Sequence, residues 1–407
     1  MREIQKSLVA QKRGVIPWVD ILQAVQSIFY LPEWHAQRRH KRDDKLWLFG
    51  AWSGERYSDN SRALYEYVLQ NIPAIHCVWI TRNEHVYQRL RAEEKPVELC
   101  DSNRGKQLQK DAGYFFWTAN RYDGDFRFLN GAKLINLWHG VPIKKICADA
   151  SVKQKSWFKR LKTSIRKKLM PWEFLQSDTV CGSSFFEPFL CSAFTIPKQR
   201  IIPFPEPRLD YLMSGEKEKL VKDIKNKYSN ATIVLYMPTF RDNNLESFNP
   251  FALPDYNAER IGRMLEEQNI VLLYKGHFLD KTQSIVSNSE RIMTISDDDY
   301  DNLYCVLKDV DILLTDYSSV YFDFIYLRKP MILFPFDYDL YMQTSREFYF
   351  DYKLMEAKKV YTWTELEECL RNKTYYMPSD EEIQRFRPLP IGNSSRQITE
   401  YLLKNIK

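Results

Sequence analysis

No run in this chain approaches the roughly 18 to 20 consecutive apolar residues that a bilayer crossing takes, so no membrane-spanning helix is expected. The opening MREIQKSLVAQKRGVIPWVD lacks a long apolar core followed by a cleavage-like site, which argues against a secretory signal and for the cytoplasmic side of a membrane. Seven cysteines (Cys77, Cys100, Cys147, Cys181, Cys191, Cys305 and Cys369) form none of the close pairs that zinc or a redox dithiol requires. Their odd number suits a reducing compartment and mostly buried thiols. The compact GxGxxG of a dinucleotide fold and the GxxxxGK[ST] phosphate loop are both missing, which disfavours hydride transfer and nucleotide hydrolysis by those routes. HxxxH and HExxH are absent too. The acidic run Ser296 to Asp301 is read as a charged loop, since consecutive aspartates point in different directions. No metal ligands and no cofactor are therefore assigned, although a divalent cation stays open. Internal repeats and low-complexity tracts are also lacking.

What is present is enough for two real cores: 407 residues, 44% of them hydrophobic. Aromatics reach 14%, suited to a core, a carbohydrate surface or a membrane interface alike. A formal charge of +6 favours anionic partners without choosing among them.

Short apolar strands alternate with helical segments. LWLFG, AIHCVWI, AGYFFWTA and KLINLW form one series; TIVLYMPTF, IVLLYKGH, RIMTI, DILLTDYSS and PMILFPF form a second. This pattern predicts an α/β fold with mostly parallel sheets, arranged as two Rossmann-like domains facing across a cleft. The expected division is a preamble at 1–44, a first domain at 45–195, a second at 196–380, and a helical segment at 381–407. The preamble's charged run HAQRRHKRDDK reads as a solvated linker or a headgroup contact. Within 153–172, eight basic residues from Lys153 to Lys168 accompany Trp157, Phe158, Leu161, Ile165 and Leu169 near one helical face, with no acidic residue between them. That is a basic amphipathic helix suited to an anionic membrane surface; a solvated helix or another polyanion surface are the competing readings.

In open α/β sheets, ligands gather at the carboxyl ends of strands. Four polar clusters fall at such ends: His139-Gly140, Pro238-Thr239-Phe240-Arg241, Lys275-Gly276-His277 and Thr315-Asp316-Tyr317-Ser318-Ser319. Imidazole accepts a proton near neutral pH, so His139 is a candidate base, and the glycine after it allows close backbone approach. Beside Lys275, His277 fits anion binding. Ser318 and Ser319 with successive amides fit a phosphate, and Arg241 adds a planar cationic fork. Asp323 either extends the site or supports its loop.

Taken in order, GERYSDNSRALYEY, NLWHGVPIKK, PRLD, YMPTFRD, YKGH and LLTDYSSVYFDFIYLRKPMILFPFDYDLY resemble the CDP-glycerol glycerophosphotransferase family of teichoic-acid and capsule polymer enzymes. The resemblance spans residues 46 to 355. It implies a GT-B-like pair of domains and transfer of glycerol phosphate, or a related polyol phosphate, from CDP-glycerol or another CDP-alditol. The implied acceptor is a lipid-linked saccharide or growing polymer at the cytoplasmic membrane face, with CMP released and no nucleic acid involved. The catalytic positions carry to His139 and His277. Substrate contacts carry to Gly140, Lys275, Arg208, Asp210, Thr239, Arg241, Thr315, Asp316, Ser318 and Ser319. YKGHFLD lacks the proline that often follows the second histidine. The other readings are a GT-B nucleotide-sugar glycosyltransferase, and a non-enzymatic membrane or polyanion binder that leaves the four strand-end clusters unexplained.

Overall fold

The computed structural model describes residues 18–150, 157–215, 217–239, 249–276, 289–345 and 347–404, with the side chains of all but 18–26 and 157–162. These residues form two compact units. One holds the chain up to His139, the stretch 152–179 and the residues from Tyr401; the other holds Gly140–Ser151 and Val180–Glu400. The units interleave along the chain, where a single passage near residue 195 was expected. One of the crossings falls between His139 and Gly140.

The first unit contains β1 (Asp43–Phe49), β2 (His76–Thr81), β3 (Val97–Leu99), β4 (Ala112–Trp117), β5 (Lys133–Asn136) and β6 (Asp178–Val180). They lie in the order β3-β2-β1-β4-β5-β6, each neighbouring pair parallel. Strands buried on both faces need continuous apolar sequence, and every residue of AGYFFW in β4 is buried. Phe49 stacks on Phe116 at 4.6 Å, and Trp47 lies 5.1 Å from both Tyr114 and Phe116. Such ring pairs contribute about 0.5–1.5 kcal/mol each beyond area burial.

The second half of the preamble packs on the first unit. Its helix Trp18–Ala36 brings Trp34 into the core at 2% exposure, edge-on to Trp172 at 5.8 Å. In the charged run that follows, Arg38, Arg39, Lys41 and Lys45 are exposed and Arg42 is anchored. Arg42 Nη1 donates to the carbonyls of Gln109 and Ala112, and Nη2 to those of Phe128 and Asn130, at 2.8–3.0 Å. Burial lowers this guanidinium to about 10 by stripping water from its charge, an effect that the Asp111 carboxylate opposes.

The second unit contains β7 (Ile201–Ile202), β8 (Thr232–Met237), β9 (Ile270–Tyr274), β10 (Ile292–Thr294), β11 (Ile312–Thr315), β12 (Met331–Leu333) and β13 (Lys358–Lys359). Its six-stranded parallel sheet runs β10-β9-β8-β11-β12-β13. The core gathers Tyr236, Phe251, Tyr274, Phe334 and Trp363 around these strands. In each unit the strand order reverses once, between β1 and β4 in the first and between β8 and β11 in the second. Doubly wound sheets bind ligands outside the carboxyl ends at that reversal.

All seven cysteines are free thiols and five are buried. Among the described residues, no helix is long and apolar enough to cross a membrane, and no cluster of three metal-ligating side chains occurs.

Candidate active site

The turn after β5 is strained. Trp138 adopts φ +52° and Gly140 φ +133°; a bulky residue in the left-handed region costs of order 1–3 kcal/mol and persists only where its surroundings impose it. The imposing groups are polar. Trp138 N donates to Asn136 Oδ1 at 2.9 Å, and buried Asn60 donates through Nδ2 to the carbonyls of Trp138 at 2.8 Å and Leu137 at 3.2 Å. Between them, His139 is half-buried, its ring centroid 4.1 Å from that of Trp138 and 5.3 Å from that of Trp52.

His139 Nδ1 lies 3.2 Å from the carbonyl oxygen of Thr118, the residue after β4. A carbonyl only accepts, so Nδ1 carries the proton and Nε2 carries the lone pair. This is the tautomer a base needs. Thr118 is itself held: Ser61 N donates to its Oγ1 at 3.2 Å, and the two hydroxyls meet at 2.6 Å. Its backbone N–H and that of Ala119 both donate to Asp123 Oδ2, at 2.8 and 2.7 Å, while Ser53 N donates to Oδ1 at 2.7 Å. Asp123 is fully buried, and despite these donors burial pushes its carboxyl up to about 6.

Gly140 opens the second unit. A methyl group there would lie 2.5 Å from Ser319 Oγ and 3.0 Å from Arg208 Nη2, so backbone, hydroxyl and guanidinium converge where only glycine fits. Arg208 is fixed from behind. Its Nη2 donates to Asp323 Oδ2 at 2.8 Å, and Tyr304 OH donates to the same oxygen at 2.6 Å. Arg387 donates to Asp323 Oδ1 at 2.5 Å and to both oxygens of Glu206 at 3.0 and 2.7 Å. Two arginines and two carboxylates thus balance in a buried network, leaving Arg208 a rigid donor.

At the second unit's strand reversal, Asp316 ties two of the expected clusters together. Its Oδ1 accepts from Thr239 N at 2.8 Å and Thr239 Oγ1 at 2.5 Å, and Thr315 Oγ1 donates to Met237 O at 2.6 Å. Ser318 Oγ accepts from Val320 N at 3.4 Å, where the next short helix starts. Lys275 Nζ sits 2.8 Å from Asp297 Oδ1, so the acidic run supplies a counter-charge at a strand end. Asp210 accepts from Ser394 N and Ser395 N, both at 2.8 Å, and caps the last helix. His277 and Arg241 lie outside the described residues.

The structure therefore brings Gly140, Arg208 and Ser319 into one cluster and Thr239, Thr315 and Asp316 into another, with Lys275 and Asp210 in ion-pair and capping positions. Sequence reasoning gave no role to Asn60, Thr118, Asp123, Asp297 or Arg387. Asn60 stood inside a quoted motif, Thr118 at the end of the quoted strand AGYFFWTA and Asp297 in the acidic run read as a charged loop; Asp123 and Arg387 carried no signal.

Two parallel-sheet units whose polar residues crowd the strand ends place the chain among GT-B-like transferases. A solved structure of the wall teichoic acid polymerase TagF has this fold, with TM-score 0.71 and 21% identity over 95% of this chain and 97% of that one. The chain belongs to the CDP-glycerol:poly(glycerophosphate) glycerophosphotransferase family, whose model matches residues 34–404. The match extends beyond the 46–355 legible in the motifs. A teichoic acid poly(glycerol phosphate) polymerase of Bacillus spizizenii is 26% identical over 89% of this chain and 93% of its own. A teichoic acid glycerol-phosphate transferase of Staphylococcus aureus is 27% identical over 88% and 93%.

Proposed function

We propose that the protein transfers glycerol phosphate from CDP-glycerol to a hydroxyl of a growing teichoic-acid-type polymer, with His139 as the base. The acceptor oxygen bonds to the phosphorus that bears glycerol, its proton passes to Nε2 of His139, and the bond to the CMP phosphate breaks. The product is a phosphodiester and CMP. Amides near Gly140, the Ser319 hydroxyl and the fixed Arg208 donor favour charge on the phosphate oxygens, with His277, Arg241 and Lys275 on the donor side. The observation that supports this reading is a histidine whose Nδ1 lies 3.2 Å from the Thr118 carbonyl oxygen and which is joined directly to a glycine that lies against Arg208 and Ser319.

The acceptor is proposed to be lipid-linked and the protein to sit peripherally on an anionic membrane. The helix Trp157–Leu169 packs beside the helix Trp18–Ala36; Ile28, Phe29 and Ile165 on the pair are 53%, 80% and 50% exposed, beside exposed Arg166, Lys167 and Lys168. Exposed apolar and basic side chains on packed helices suit a headgroup layer.

Purified protein incubated with a primed acceptor and either CDP-glycerol, CDP-ribitol or UDP-sugars tests the reaction. CMP release matched by glycerol phosphate addition is expected. UDP release with a hexose added would move the chain to the sugar transferases, and CMP release with ribitol alone would change the polyol.

A further inference from the structure

The geometry points to Asp123 as a positioning residue for His139, acting through the single peptide group that joins Thr118 to Ala119. This inference rests on the reading of His139 as the base. The N–H of that peptide belongs to Ala119 and donates to Asp123 Oδ2 at 2.7 Å; its C=O belongs to Thr118 and lies 3.2 Å from His139 Nδ1. An imidazole, a peptide and a carboxylate thus stand in line, the imidazole donating to the peptide oxygen and the peptide N–H to the carboxylate, which accepts. In Ser-His-Asp sites the carboxylate contacts the imidazole directly, fixing its tautomer and stabilising the imidazolium. Here a peptide stands between them, and a peptide polarised at its N–H becomes a stronger acceptor at its oxygen. Asp123 thereby holds the Nδ1–H tautomer and favours the imidazolium that forms when Nε2 takes the acceptor proton.

The surroundings are built for this. Thr118 N and Ser53 N fill the remaining sites of the carboxylate at 2.8 and 2.7 Å, so it cannot rotate away from the relay. Asp123 N donates to Asn120 O at 3.1 Å, closing the turn that carries the carboxylate back under the peptide. A methyl group at Gly50 would lie 2.1 Å from Asp123 O, so the end of β1 also presses on this turn. The charged groups facing the turn are otherwise engaged: Arg82 with Asp101 and Gly124 O, and Asp125 with Arg127. None of these residues appears in the strand-end motifs, and a general fold requirement would not need carboxylate and imidazole on opposite ends of one peptide.

Asp123→Asn tests the inference, because its amide oxygen still accepts from Ala119 N–H while the charge is gone. The expected result is a folded protein that binds CDP-glycerol as before, with kcat down roughly 10- to 100-fold, the range of orienting groups behind a reactive ligand. The acid limb of the kcat profile moves to lower pH, since the imidazolium loses its stabilising charge. In the His139→Ala background Asp123→Asn produces no further loss, because the two act as one unit. An unchanged kcat and acid limb, or the same fractional loss without His139, overturns the inference. Should the variant not fold, nitrogen-15 NMR of histidine-labelled wild type, with His139 assigned by its absence from His139→Ala, decides instead. A protonated Nδ1 is expected and a protonated Nε2 overturns the proposal. Full turnover by His139→Ala is a different outcome: it removes the base assignment itself.

Discussion

Arg387 and Asp323, 64 residues apart in sequence, meet at 2.5 Å with each side chain 1% exposed. The same arginine reaches both oxygens of Glu206 through Nη1, so removing it takes that counter-charge from buried Glu206 and leaves Asp323 with Arg208 and Tyr304. Breaking a buried pair from one side costs about 3–5 kcal/mol. Arg387→Ala is expected to lose that much stability in urea titration, and to raise the KM for the donor because Asp323, left with Arg208 as its one arginine partner, draws that side chain out of position. Wild-type stability and KM would remove the network from the account.

Gly140→Ala adds a carbon 2.5 Å from Ser319 Oγ at a backbone angle of φ +133°. The expected outcome is a loss of kcat/KM for the donor of two orders of magnitude or more, about 3 kcal/mol in transition-state terms. Thermal melting of the folded variant should fall by less than for Arg387→Ala, since the strain is confined to one turn.

Asp123 makes stability depend on pH. Its folded value of about 6 stands above the ordinary 3.8, so the protonated form is relatively favoured in the native state. Its contribution is fully present below the unfolded value and is lost as pH rises through 6. Urea titrations of wild type and Asp123→Asn at pH 5 and 7 should differ by roughly 1 kcal/mol more in favour of wild type at pH 5. An equal difference at both values would place this carboxyl at an ordinary pKa.

Replacing Ile28, Phe29 and Ile165 by serine is expected to weaken co-sedimentation with anionic vesicles severalfold while leaving the melting temperature nearly unchanged, as these side chains are half or more exposed. Serine in place of Trp157, Phe158 and Leu161, in the sequence of the same basic helix, should likewise weaken co-sedimentation. Undiminished vesicle binding would remove the membrane role of this helix pair.

Strands with four or more apolar residues in a row, such as Thr232–Met237 and Ile270–Tyr274, were legible. Val97–Leu99 and Lys358–Lys359 were not, because two or three residues carry no periodicity and owe their strand form to a neighbour. The strand-end motifs contain Gly140 and Ser319 and the family resemblance adds Arg208, three groups that the structure brings together. What they hid is the support behind them. Asp123 beneath Thr118, and Arg387 behind Arg208, depend on which segments meet in space, and a hydrogen-bond partner leaves no mark on the local pattern. Arg42 shows the same limit from the other side: a residue inside a run of charges looks solvated until its carbonyl partners are seen.

The most direct measurement compares wild type and His139→Ala for CMP release from CDP-glycerol with a glycerol-phosphate-primed acceptor, alongside donor binding by calorimetry. The account predicts release matched one for one by added glycerol phosphate in the wild type, and turnover reduced at least a hundredfold in the variant with donor affinity retained. Full CMP release by His139→Ala, or none by the wild type, would contradict it.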